Sequence, residues 1–120
     1  MKFEHLRTYL LEKKGAIEDT PFGPESLVFK VMGKMFALVA WDETPLRITL
    51  KCDPNLALIL RAQFQAVQPG YYMNKKHWNT ITLADSLSDE QIIEMIDDSY
   101  ELVVKGLRKA DRQELEQNAG

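Results

Sequence analysis

The sequence predicts an α+β domain, a two-layer sandwich in which an antiparallel sheet carries helices on one face, in the order α-β-β-β-α-β-β-α. Three observations carry this. Apolar residues recur at helical spacing in three well-separated segments. The β-rich runs between them are joined by connections as short as Met32-Gly33, which join only antiparallel neighbours, since a parallel crossover needs about a dozen residues or more. Those runs also alternate apolar with polar side chains, the pattern of a sheet buried on one side.

Phe3, Leu6 and Leu10, flanked by Tyr9 and Leu11, set the first helix over about residues 2–14, with Lys13 and Lys14 in its last turn and Gly15 at its end. Thr20-Pro21-Phe22-Gly23-Pro24 holds two prolines and a glycine, so it is a loop shaped around Phe22. Leu27–Val31 and Lys34–Trp41 are strands separated by the Met32-Gly33 hairpin turn. After the Asp42–Pro45 turn, Leu46–Lys51 alternates strictly, with Leu46, Ile48 and Leu50 inward and Arg47, Thr49 and Lys51 outward. Asp53-Pro54 opens the second helix, a carboxylate at the N-cap and proline at the first helical position. Leu56, Ala57, Leu60 and Phe64 form its inner face. Gln65–Gln68 reads as a short strand, and Trp78–Leu83 as a longer one with Ile81 and Leu83 inward and Trp78, Thr80 and Thr82 outward. Ser88 and Gln91 stand at capping-box spacing before the third helix. Its stripe is Ile92, Ile96, Tyr100, Val103 and Leu107; Glu90, Glu94, Asp97, Asp98 and Glu101 face outward, and Gly106 would interrupt or end it. Residues 1–107 are expected to form a single domain and 108–120 a polar, frayed helical C-terminal tail.

At 120 residues, 45% apolar and 28% charged, the chain has the composition of one globular domain with a real core. No apolar run approaches the ~20 residues needed to span a bilayer, and acidic residues interrupt the N-terminal apolar stretch, which therefore reads as a helix and not a signal peptide. The lone Cys52 excludes an internal disulfide and suits a reducing compartment, so a cytoplasmic location is expected. Cys52, His5 and His77 lack metal-ligand spacing, so neither metal nor cofactor is expected. Net charge is −3, but it is unevenly spread. Residues 27–78 hold seven Lys/Arg against three Asp/Glu, while residues 79–120 hold four against ten. The surface field is expected to be two-signed.

Gln68 to Thr80, QPGYYMNKKHWNT, concentrates aromatic, cationic and amide groups behind a Pro-Gly turn signal. Such a cluster on a loop makes a binding surface more often than a core. The outward pleat positions add Val28, Lys30, Arg47, Thr49, Lys51, Trp78, Thr80 and Thr82, and are expected to form a solvated face. His77 has no visible partner to orient it as a general base, and Cys52 no accompanying redox motif; a packed, unreactive thiol and a loop-stiffening histidine are expected, and no enzyme. Neither Lys14-Gly15-Ala16 nor Gly33-Lys34 has the spacing of a phosphate-binding loop.

Several blocks together resemble the MmcQ/YjbR family of small bacterial proteins. They are Lys14-Gly15-Ala16 through Asp19-Thr20-Pro21-Phe22-Gly23, Val28–Val31 with Gly33–Ala37, Leu50-Lys51-Cys52-Asp53-Pro54, Pro69-Gly70-Tyr71 with Met73–Asn79, and Asp98-Ser99-Tyr100 with Leu102-Val103. The resemblance runs to about Leu107. It implies a two-layer α-β(3)-α-β(2)-α fold, similar to that of type III secretion chaperones, and a DNA-binding role through a double-wing arrangement of loops and strands. On that reading the basic sheet face and the 70–79 loop make the contact, with the Met32-Gly33 and Asp42–Pro45 hairpins or the 70–79 loop as wings. Lys30, Lys34, Arg47, Lys51, Lys75 and Lys76 would neutralise phosphates, Asn74 and Asn79 could bond base edges or phosphates, Trp78 or Tyr71 could stack, and His77 would complete the loop surface. The alternative is a protein- or peptide-binding module in which the same face docks a peptide or a second copy through Tyr71, Tyr72 and Trp78. Neither reading involves a membrane.

Overall fold

The computed structural model describes residues 1–70, 73–84 and 86–117. The chain runs α1 (Phe3–Leu11), β1 (Ala16–Asp19), β2 (Ser26–Val31), β3 (Lys34–Ala40), β4 (Arg47–Lys51), α2 (Pro54–Gln63), β5 (Val67–Pro69), β6 (Trp78–Thr82), α3 (Asp89–Lys105) and α4 (Lys109–Gln117). The strands form one antiparallel sheet in the order β1-β2-β3-β4-β6-β5. The α+β class and the antiparallel sheet agree with the sequence-based expectation.

Two elements add to the expected order. β1 is a four-residue edge strand, Ala16-Ile17-Glu18-Asp19, paired with β2. Its charged, short pattern is how a sheet edge is blunted, and the same features hide it from a periodicity argument. Glu18 is clasped by Arg7 of α1 through two bonds of 2.6 and 2.8 Å, a fork that holds the helix to this edge and keeps the Glu18 carboxyl below its ordinary range. The second is α4, an ordered helix where a frayed helical tail is expected after Leu107. It is anchored by one buried side chain, Leu115, which lies against Gly15. α1 also ends earlier than expected: Lys13 and Lys14 lie in a turn, and Gly15 turns left-handed at φ +73°.

The core lies between the sheet and the helix layer. Leu27, Val39, Ile48, Ile81 and Val67 form one cross-strand row on the helix side. A bulge at Phe29/Lys30 opposite Met35–Ala37 places both Phe36 and Ala37 in the core. α3 lies across β3 and β4 with Ile92, Ile96 and Val103 inward. Ser88 and Gln91 close a reciprocal capping box at its start. Ser99 is fully buried, donating to the Phe36 carbonyl at 2.6 Å and accepting from the Lys51 N–H at 2.9 Å. One hydroxyl thus bolts α3 to two strands.

α2 is held differently. Asp53 caps it through the Asn55 and Leu56 N–H groups and Pro54 starts it, as expected, but only Ala57 is fully buried. Leu60 and Phe64 are half-buried, and Leu56 is exposed. The helix leans on the sheet without closing against α3.

Candidate nucleic-acid interface

The sheet face away from the helices is built by the pleat. Val28, Leu38, Thr49, Thr80 and Gln68 form its central cross-strand row. Contrary to the expectation of a solvated face, Val28, Thr49 and Thr80 are buried. Short side chains in mid-row, flanked on the same face by Arg47, Lys51 and Trp78, are shielded from water. Thr49 and Thr80 meet hydroxyl to hydroxyl at 2.9 Å. The centre of the face is therefore a fixed platform, and its charge lies around the margin.

The expected cations separate into distinct environments. Arg47 and Lys75 line one open groove of about 430 Å³ together with Gln68, Gly70, Thr80 and Thr82. Arg47 also pairs with Glu43 at 3.1 Å, and Lys30 with Asp19 at 3.2 Å. Lys51 sits directly opposite Trp78 in the register. Lys76 is exposed on the loop. Lys34 pairs with Val31, whose side chain is in the core, so it does not share the row of Lys30. Among the described residues, no carboxylate lies within ion-pairing distance of Lys51, Lys75 or Lys76.

The loop that carries Lys75 and Lys76 is braced. The Asn74 side chain accepts from the Lys76 N–H at 2.9 Å, and the Asn74 carbonyl accepts from the His77 N–H at 3.1 Å. Asn74 is therefore committed to shaping the turn. The His77 carbonyl accepts from the Cys52 N–H at 2.8 Å, tying the loop to the end of β4. The half-buried Trp78 accepts from the Gly70 N–H at 2.8 Å, and a Cβ on Gly70 would stand 2.8 Å from that of Trp78. Only glycine fits there. Tyr71 and Tyr72 lie outside the described residues.

The residue that sequence reasoning missed is Arg61. From the last turn of α2 its guanidinium donates to Asn79 Oδ1 at 2.7 Å, to the Trp78 carbonyl at 3.2 Å and to the Lys75 carbonyl. Contrary to the expectation that it meets a nucleic acid, Asn79 is buried beneath α2, where its amide also donates to the Ala57 carbonyl at 3.5 Å. A lone arginine in a helix gives no sequence signal of this, except that Asn79 occupies an inward strand position where an apolar residue belongs. Gly70 and Gln68, also part of the groove, give no more than a turn signal.

The loops sit at two ends of the sheet. Register places the Met32-Gly33 hairpin and the β5–β6 connection at the Lys51 end of β4, three strand spacings or about 14 Å apart. The 42–46 turn is at the opposite, Arg47 end. The acidic outer positions of α3 belong to the other layer.

A model of the YjbR family matches residues 11–102. The chain belongs to the YjbR family. The match takes in the expected blocks from Lys14 to Leu102. The chain is similar to the uncharacterized protein YbdF of Escherichia coli O157:H7, 41% identical over 77% of this chain and 75% of that protein. The uncharacterized protein YjbR of Escherichia coli K12 is 35% identical over 98% of this chain and 99% of its own length. Among solved structures, Deinococcus radiodurans protein DR2400, of the DUF419 type, superposes with a TM-score of 0.88 at 40% identity, covering 96% of this chain and 88% of that one. A Pseudomonas syringae protein superposes at 0.73 with 28% identity, over 85% of this chain and 98% of that one. Among the described residues no cluster of three His, Cys, Asp or Glu could hold a metal, and no helix is long and apolar enough to cross a membrane.

Proposed function

We propose that this YjbR-family chain is a nucleic-acid-binding protein that uses its open sheet face and the 70–77 loop. One observation carries the reading. Arg47 and Lys75, from strand and loop, line one groove over a floor of Thr80, Thr82 and Gln68. That combination offers two cations for phosphates and hydroxyl and amide groups for phosphate or sugar oxygens. Lys51, Lys76 and Trp78 extend the surface toward the loop, where the Met32-Gly33 hairpin and the 70–77 loop would act as the two wings. The carboxylates of α3 belong to the layer behind the sheet, away from a duplex on the open face.

The role is binding and not catalysis. Cys52 is 8% exposed and burial pushes its thiol up, so the nucleophilic thiolate is disfavoured. A free thiol of this kind also supports a cytoplasmic location.

Titration of a fluorescent duplex and a matched single strand at two salt concentrations tests the reading. Binding at micromolar level or tighter in low salt, weakened by salt and by Lys75→Ala/Lys76→Ala, is the expected result. Salt-independent binding, or none in low salt, would refute it. Salt-tolerant capture of a peptide that depends on Trp78 would favour the protein-interaction alternative on the same face.

A further inference from the structure

A second surface lies on the helix side, unrelated to the sheet groove. Because α2 stands away from α3, an open cleft runs between them. Two hollows of about 170 and 240 Å³ share Leu56 and Asp98, and a smaller gap joins them above Cys52. The apolar lining is Leu56 and Leu60 from α2 with Phe64 at its C-cap, and Met95 and Leu102 from α3. α2 is short of burial for an apolar helix, with Leu58 62% and Ile59 57% exposed beyond the cleft edge. Exposed apolar surface on this scale marks a contact site more often than a bare surface.

The charge along the cleft is mainly acidic, with Lys105 at one end and Lys51 beside the small gap. Glu94, Asp98 and Glu101 follow each other at helical spacing on α3 and line it. Asp98 takes part in all three hollows and has no hydrogen-bond or ion-pair partner among the described residues. Its carboxyl is pushed up first by burial and then by Glu94, Glu101 and Asp97. A cation held against Asp98 would offset the repulsion from its acidic neighbours. From Gln91 to Lys105 the lining spans roughly 21 Å of α3, about four helical turns.

We infer that the α2–α3 cleft of this chain is a docking groove for a basic amphipathic helix of a protein partner, its leucine-type side chains seated between Leu56, Leu60 and Met95 and its lysine or arginine side chains on Glu94, Asp98 and Glu101. An apolar trough with acidic walls selects that chemistry: the apolar stripe supplies affinity, and the cations pair with carboxylates that otherwise repel each other. A nucleic acid is excluded from this surface by the same carboxylates.

The test uses a fluorescein-labelled peptide of about 14 residues, leucines at i, i+3, i+4 and i+7 spacing and lysines elsewhere. Controls are a scrambled peptide of equal composition and a glutamate-for-lysine version. The expected result is micromolar binding of the first peptide alone. Asp98→Asn, which keeps the side-chain shape, should weaken it by at least about fivefold, and Met95→Lys by at least about tenfold. Glu90→Gln, outside the cleft, and Lys75→Ala, on the opposite face, should leave it unchanged. With methyl-labelled methionine, the Met95 signal should move on binding while Met35 stays. Equal binding of the scrambled peptide would overturn the inference, as would wild-type affinity of Asp98→Asn and Met95→Lys. Concentration-dependent dimerisation abolished by Leu58→Lys would overturn it in favour of a second copy of the chain.

Discussion

Arg61 Nε donates to Asn79 Oδ1 at 2.7 Å, while the same guanidinium bonds the Trp78 and Lys75 carbonyls. Through this contact a helix on one layer sets the shape of the loop that serves the opposite face. The cationic loop is thus positioned by a buried polar strand residue and a forked donor, a pairing that lysine cannot reproduce.

Arg61→Ala should release the loop without unfolding the sheet. The amides of Lys76 and His77, now held by Asn74, should exchange with solvent at least about tenfold faster, while β3 amides keep their protection. Hydrogen exchange read by NMR checks this, and Arg61→Lys should restore little of it.

Ser99→Ala removes one hydroxyl and strands two backbone groups, the Phe36 carbonyl and the Lys51 N–H. The expected loss is about 1–3 kcal/mol, read as a lower midpoint in urea with an unchanged slope.

Gly15→Ala meets two obstacles, a left-handed φ of +73° and a Cβ position 2.6 Å from Leu115 Cδ1. The backbone part alone costs roughly 1–2 kcal/mol. In a Leu115→Ala background the steric part vanishes, so the two substitutions should be measurably non-additive in a double-mutant cycle.

Asp98 sets a pH dependence of definite sign. Its folded-state pKa is raised, so in the window between its ordinary value and the raised one the folded protein binds more protons than the unfolded chain. Its contribution to stability therefore falls as pH rises through that window. Asp98→Asn should stabilise the fold at neutral pH, by less than about 1 kcal/mol after solvent screening, and the gain should vanish below the ordinary carboxylate range. Thermal unfolding at several pH values measures it.

Much of this architecture was legible from local chemistry. The Asp53-Pro54 start, the Ser88/Gln91 box and the alternation of Leu46–Lys51 each encode their element within a few residues, and each is present. β1 was not legible because Glu18 and Asp19 answer to Arg7 and Lys30 and not to a core. α4 was legible only as a frayed helical tail, because a single leucine anchors it. The apolar periodicity of α2 predicts a buried face, but burial depends on how closely α3 approaches, and that is a tertiary fact. For the site, sequence placed Lys75 and Arg47 on exposed positions; it could not show that loop and strand bring them to one groove, nor that Arg61 holds the loop from behind.

The most direct measurement is the slope of log Kd against log salt for a short duplex, compared between the wild type, Arg47→Ala/Lys75→Ala and a helix-layer control, Lys105→Ala/Lys109→Ala. The account predicts a salt-dependent wild type, a slope shallower by roughly two contacts in the groove variant, and no change in the control. Equal slopes for the wild type and the groove variant, or a loss in the control instead, would contradict it.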